Sequence, residues 1–437
     1  MKYRDCQLMK TNEKDTHQRI VPALRFPDFQ SYEGWKLQPL STYLTEHRLK
    51  SDGKSEVHSV SVSQGIVNQK QYLGRSFAAE NTSHYKLVKP YDIVYTKSPT
   101  GEYPYGIVKQ NLNKYNVIVS PLYGVFSPNN LYIGYIIHSI FESPIRLNNY
   151  LISIIQKGAK NTIQISNDAF LSKDILLPSD KKEQQKIADC LSSIDSLIKA
   201  TEDKIVLLKA HKKGLMQQLF PAEGETTPKL RFPEFQNAGG WESHPITKFF
   251  TRLTSRNTDN NTNILTISAQ HGLVSQREYF NKVVAAENIS NYFLLHKGDF
   301  AYNKSSSQDY PQGVIKCLKL YEIGIVSPLY ICMKIKDTNE ISFFEQYFES
   351  GMINPEIKKI AQEGARNHGL LNVSIKDFFN TVSLIVPRSI EERKKIADCL
   401  SSIDMLINVT EDKIALLKAH KKGLMQQLFP NTNNCEV

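Results

Sequence analysis

Ile187–Pro221 reads IADCLSSIDSLIKATEDKIVLLKAHKKGLMQQLFP, and Ile396–Pro430 reads IADCLSSIDMLINVTEDKIALLKAHKKGLMQQLFP. The two stretches match at 31 of 35 positions, with a constant offset of 209. In the first copy the apolar positions are Ile187, Leu191, Ile194, Ile198, Ile205, Leu208, Leu215 and Leu219. In the second they are Ile396, Leu400, Ile403, Ile407, Ile414, Leu417, Leu424 and Leu428. Steps of four and three alternate along both, broken only by Thr201 and Lys212 and their equivalents Thr410 and Lys421. A 3.5-residue repeat held for about five heptads predicts a coiled-coil seam. At 1.5 Å per residue each copy is a rod of roughly 50 Å. Pro178 and Pro387 lie just upstream, and Pro221 and Pro430 stop the rods. Two seams of equal length and nearly equal sequence in one chain are expected to pair with each other, antiparallel, with a body at each end.

The repeat extends beyond the rods. Pro22–Gln30 (PALRFPDFQ) answers Pro228–Gln236 (PKLRFPEFQ), and each is followed by a tryptophan, Trp35 and Trp241. Weaker echoes come in the same order: AAEN at Ala78–Asn81 and Ala285–Asn288, YPYG and YPQG at Tyr103–Gly106 and Tyr310–Gly313, SPLY at Ser120–Tyr123 and Ser327–Tyr330. A period of about 207 residues is far too long for a solenoid and marks a tandem duplication of a body with its following helix. The expected organisation is a polar tail over 1–21, a first body over 22–178 and a first helix over 179–221. A linker with the second body follows over 222–387, then a second helix over 388–430 and a tail over 431–437. The bodies read as α+β. Val57–Ser63, Ile93–Thr96, Val117–Phe126 and Phe300–Asn303 carry strand-like content, while Asn130–Phe141 and Ser342–Met352 look helical.

Composition fits two such bodies. The 437 residues are 41% hydrophobic and 22% charged, ordinary globular values that exclude a wholly disordered chain. Six scattered cysteines form no C-x-x-C pair, which argues against zinc ribbons and disulfide frameworks. The longest apolar run, Leu131–Phe141, is too short to span a bilayer, and the N-terminus lacks an apolar signal core. A cytoplasmic protein without membrane contact is expected.

The formal charge is +10. The first body carries a net +5 and the second +2, while the rod segments 179–227 and 388–437 carry 0 and +1. The surplus therefore sits on the bodies and points to a polyanion there. Cations and amides cluster in matched loops. In the first body the candidate DNA-binding residues are Lys70, Arg75, Lys97, Lys160 and Asn161. In the second they are Arg277, Lys282, Lys304, Arg366 and Asn367. Lys and Arg suit phosphates, Arg suits guanine, and Asn suits adenine.

Catalytic signatures do not appear. There is no P-loop, no G-x-G-x-x-G opening a helix, and no Pro-Pro with which to build an Asn-Pro-Pro-aromatic methyltransferase loop. Glu202-Asp203-Lys204 and Glu411-Asp412-Lys413 match the E-x-K of nucleases only superficially, because they fall inside the heptads as surface charges. Histidine spacing suggests no metal site, and none is expected.

The whole arrangement resembles the specificity (S) subunit of type I restriction-modification systems. Leu176-Leu177-Pro178, Glu183-Gln184-Gln185-Lys186-Ile187-Ala188 and the counterpart Ile385–Ala397 look like that family's junction between recognition domain and helix. In the second copy Arg393 comes one place after the expected glutamine. Leu24–Phe29 and Leu230–Phe235 look like its domain openings. The resemblance implies two target-recognition domains, each reading one half of a bipartite double-stranded DNA site. It implies an antiparallel helix pair that sets the spacer and docks two methyltransferase (M) subunits. A restriction/translocase (R) subunit joins for cleavage. S-adenosylmethionine, ATP and Mg²⁺ would belong to those partners, in a complex with adenine-N6 methyltransferase and ATP-dependent endonuclease activity for phage defence, and this chain would be non-catalytic. The competing reading is a coiled-coil scaffold that bridges two identical partners without touching DNA.

Overall fold

The computed structural model describes residues 20–75, 81–157, 163–258, 260–280, 289–361, 369 and 371–430. The chain divides into two compact α+β units. One comprises residues 1–201 and 413–437, the other 202–412. Each long helix, Lys181–Leu219 and Ile390–Leu428, has 39 residues and contributes its first half to one unit and its second half to the other.

Apart from the short pair Gln156–Lys157 with Ile163–Gln164, which has no counterpart among the described residues of the second unit, the units share one topology. The first has a four-stranded antiparallel sheet in the order Leu44–Glu46, Gly124–Pro128, Ile93–Thr96, Ile107–Gln110. The second repeats it with Phe250–Arg252, Ile331–Ile335, Phe300–Asn303 and Val314–Cys317. The central strand Ile93–Thr96 is buried at all four positions because both of its faces are covered. Ile93 and Tyr95 point into a core with the helix Leu131–Phe141 and with Ile187, Leu191 and Phe429. Val94 faces a second cluster with Ile66, Val88, Val117 and Val125. Period-two alternation thus feeds two cores, as a strand must. Phe300 and Tyr302 against Ala301 repeat the pattern in the second unit.

A strand from each opener pairs with the strand that launches the long helix: Lys36–Pro39 with Asp174–Leu177, and Glu242–Pro245 with Ser383–Val386. Asp180 caps the first long helix, accepting from the backbone N–H of Lys182 (2.8 Å) and Glu183 (3.0 Å). Ser389 caps the second through Glu392 N–H. The openers clamp these first turns. Arg25 makes a forked ion pair to Glu183 (2.7 Å from both Nε and Nη2), and Arg231 does the same to Glu392 (2.7 and 2.8 Å). All four side chains are buried.

Within each unit the two half-helices run antiparallel. In the first, Trp35 donates to Glu183 and packs on Phe429, while further along the pair Asp195 meets Lys421 at 2.7 Å. Moving forward along one helix therefore means moving back along the other. The second unit repeats this with Phe220 against Trp241 and Lys212 against Asp404 at 2.7 Å. Of the stripe residues, Ile187, Leu191, Ile198, Leu219, Ile396, Leu400, Ile407 and Leu428 are buried. Ile194, Ile205, Leu208, Leu215, Ile403, Ile414, Leu417 and Leu424 are half-buried.

The polar interruptions of the stripe are also buried. Thr201 and Thr410 donate their hydroxyls back to their own helix, to the carbonyls of Leu197 and Leu406 (2.6 Å each). Lys421 bridges Asp195 and Glu142 of the helix Leu131–Phe141 and its cap, and Lys109 reaches the same Glu142 at 3.4 Å. Lys212 bridges Asp404 and Glu349, with Lys316 at 3.3 Å from Glu349. An apparent flaw in the heptad is thus an ion cluster that ties both helices to the body.

Two expectations for the bodies need correcting. Val117–Phe126 is not one strand: Val117–Val119 and Gly124–Pro128 are separated by the SPLY turn, where Tyr123 N–H returns to Ser120 C=O. The segments around Lys70 and Arg277, expected as loops, hold the short helices Gln69–Leu73 and Gln276–Phe280. Asn68 caps the first of these through the N–H groups of Lys70 and Gln71, and Gly74 ends it at φ +70°.

Candidate nucleic-acid interface

A cluster of cations in the first body is assembled from three distant segments. The bridge between Lys50 and Lys86 brings the strand Lys86–Val88 beside residues 48–50. Lys86 donates to the carbonyl of Tyr123 in the SPLY turn at 2.6 Å. Its ammonium is held below the ordinary lysine range by burial first. Glu46 opposes this shift, and Lys97, Lys50 and Arg48 add to it. Four cations therefore share one field around a single carboxylate. Arg48 lies 3.7 Å from Glu46, with its own side chain 80% exposed. Lys97, exposed, is likewise shifted down by burial, against the pull of Glu46. The repulsion that adds to the shift of Lys86 favours an anion at this surface.

At the equivalent place in the second body the chemistry differs. Arg256 forms the bridge to Phe293, in the positions of Lys50 and Lys86, and its guanidinium lies 4.1 Å above the Phe293 ring. Arg252 and Arg256 are exposed. Lys304, the counterpart of Lys97, is half-buried, lowered by burial, and donates to Val373 C=O at 3.4 Å.

The repeated YPxG motif fixes the loops that carry Lys97 and Lys304. A Cβ on Gly106 would lie 1.9 Å from Thr96 O, and one on Gly313 2.3 Å from Asn303 O. Both glycines have positive φ, so only glycine fits. Tyr95 donates to Tyr105 C=O and Tyr302 to Gln312 C=O, 2.8 Å each, which pins each loop to its central strand.

Next to each cluster stands a hairpin with a short helix: His58–Ser61 with Gly65–Asn68 in the first body, Leu265–Ser268 with Gly272–Ser275 in the second. Lys70, Arg75 and Tyr72 are exposed around the first, and the Tyr72 hydroxyl hydrogen-bonds Ser61 at 3.2 Å. Arg277 and Tyr279 are exposed on the second. Exposed aromatics beside cations suit a sugar-phosphate or base edge.

Of the ten candidate DNA-contact residues, Lys70, Arg75, Lys97, Arg277 and Lys304 are described. Lys160, Asn161, Lys282, Arg366 and Asn367 lie outside the described residues. Reading by sequence missed Arg48, Lys50, Lys86, Arg252 and Arg256. No local motif joins them, and only strand pairing brings them together. Among the described residues no group of His, Cys, Asp and Glu is placed to hold a metal ion, and no helix is long and apolar enough to cross a membrane.

No protein-family model matches the sequence. No curated protein matches it either. Solved structures do. The type I restriction-modification system S subunit from M. genitalium aligns over 94% of this chain and 100% of its own, at 13% identity and a TM-score of 0.54. A chain from work on complex assembly and conformational transition of the type I R-M system aligns over 90% and 96%, at 14% identity and a TM-score of 0.45. The HsdS subunit from Thermoanaerobacter tengcongensis aligns over 92% and 98%, at 14% identity and a TM-score of 0.40. At such identities the likeness is one of fold.

Proposed function

We propose that this chain is a non-catalytic DNA sequence-specificity subunit of a type I restriction-modification complex. Each body reads one half of a bipartite site, and the helices set the spacer between the halves. The supporting observation is a contrast. The two bodies share one main-sheet topology, yet differ at equivalent positions: Lys50 beside half-buried Lys86 in one, exposed Arg256 over the buried Phe293 ring in the other. One scaffold with two chemistries suits the reading of two different sequences. Lys160, Asn161, Lys282, Arg366 and Asn367 belong to the same proposed surface, by their place in matched loops.

Two identical methyltransferase partners would dock on the helices. Leu197 and Leu406 are equivalent and exposed to 45% and 42%, and Leu207 and Leu416 are equivalent and exposed to 70% and 71%. The same apolar side chains offered twice suit one partner bound twice. Those partners would bring S-adenosylmethionine, and a restriction/translocase subunit would bring ATP and Mg²⁺ chemistry.

Titration of the purified full chain with duplex DNA across a salt series tests the reading. Phosphate contacts predict a steep negative slope of log K against log salt. A flat response would favour the scaffold without DNA contact.

A further inference from the structure

The main ion pairs between a body and the long helices are the same in both units. Arg25–Glu183 repeats as Arg231–Glu392, and Lys421 with Asp195 and Glu142 repeats as Lys212 with Asp404 and Glu349. A further donor to the aspartate differs in kind, Tyr135 in one unit and Gln346 in the other, but both are neutral and interchangeable in charge. Helix position 184/393 is a place where the charge itself changes between the units.

Gln184 is buried in the first turn of its helix. It donates to Pro178 C=O at 2.8 Å and accepts from Asn130 Nδ2 at 3.2 Å. The equivalent residue, 209 positions on, is Arg393, also buried. Its Nη1 donates to the carboxylate of Glu340, its guanidinium lies 5.6 Å from the Phe249 ring, and its Nε has no partner. Glu340 is its one ion-pair partner among the described residues, with Glu391 adding a weaker charge interaction. With the 207-residue offset that superposes the two SPLY turns, Glu340 falls on Ile133, which is fully buried. An acid of the body meets the helix arginine in the second unit, and the position aligned with that acid is aliphatic in the unit whose helix has glutamine.

We propose that Ile133/Gln184 and Glu340/Arg393 form a compatibility key between each body and the helix that follows it. The key decides which body can be joined to which helix. Exchanging one member alone leaves a buried charge unpaired, a strongly unfavourable state, while exchanging both leaves none. The inference concerns assembly of the chain and stands independently of DNA reading.

The chain contains two tryptophans, Trp35 in one unit and Trp241 in the other, so a Trp35→Phe background makes fluorescence report the second unit. Denaturant unfolding is compared for Glu340→Ile, Arg393→Gln and the double variant, all in the full chain. Each single change is expected to raise the unfolding constant roughly 100-fold or more. The double variant is expected to return within about tenfold of the parent. Single variants that fail to fold beside a double variant that folds support the key equally. Effects that multiply in the double variant, or a double variant that also fails to fold, overturn the key. The transplant is the converse test: Gln184→Arg alone destabilises the first unit, and Ile133→Glu/Gln184→Arg restores it.

Discussion

Replacing Lys421 by methionine probes the ion cluster that joins both helices to the first body. The ammonium lies 2.6 Å from Glu142 and 2.7 Å from Asp195, and its side chain is only 11% exposed. Methionine keeps the length and apolar stem but leaves two carboxylates facing each other. Lys109 then remains as the cation on Glu142. Breaking a fully buried pair costs about 3–5 kcal/mol. Glu142 and Asp195 keep 26% and 31% of their side-chain surface. Water shares part of the load, so about 2–4 kcal/mol is the working figure. For a unit of about 200 residues that lowers the melting temperature by roughly 4–16 °C. Calorimetry, or Trp35 fluorescence in a Trp241→Phe background, measures it. Lys422→Met, one residue on and exposed, is the control and is expected to change little. Equal shifts for Lys421→Met and Lys422→Met would refute a structural role for the cluster.

Acid stability is expected to differ between the units. His138 is buried, and burial pulls its imidazole down to about 4. The unfolded chain takes up a proton near 6.5 that the folded unit refuses, so this contribution is complete above pH 6.5 and is lost as pH falls toward 4. That loss is on the order of 3 kcal/mol, and His138→Gln should flatten it in pH-dependent unfolding. Glu345 occupies the equivalent place in the second unit, and burial raises its carboxyl, so it contributes the opposite slope. In DNA titrations, Arg48→Gln and Lys50→Gln should each reduce the salt slope by about one, and unchanged slopes would remove them from the interface. Chain order should also be permutable. Leu24 N–H bonds Gln427 C=O at 3.0 Å just as Leu230 N–H bonds Gln218 C=O at 2.9 Å. Joining Phe429 to Leu24 with a copy of residues 221–229, and opening the chain between Gly224 and Glu225, should keep the melting temperature within a few degrees. A collapse of cooperative unfolding would contradict the equivalence.

The helices were legible because a heptad is a local pattern, and near-identity between copies amplified it. Lys212 and Lys421 were legible only as interruptions. Their partners Glu349 and Glu142 lie on the bodies, 137 and 279 residues away, so no window along the chain contains the reason. The openers were visible as a repeated motif, but the fork from Arg25 to Glu183 spans 158 residues. Arg393 looked like a departure from a pattern until Glu340 stood beside it. The helix Gln69–Leu73 has a capping Asn68 and a closing Gly74, but five residues are too few to show a period. The cations Arg48, Lys50 and Lys86 became neighbours only through a strand bridge. Which bases these surfaces prefer is not written locally, because readout depends on side-chain geometry against DNA and on DNA shape.

The central claim is that two bodies read two separate half-sites and a partner does the chemistry. Co-expressing this chain with an adenine methyltransferase that carries an Asn-Pro-Pro-aromatic loop, then sequencing modified adenines across a host genome, tests it most directly. The expected result is one bipartite motif with a fixed spacer, in which replacing residues 228–387 changes a single half. A continuous motif, modification without sequence preference, or a change in both halves would contradict it.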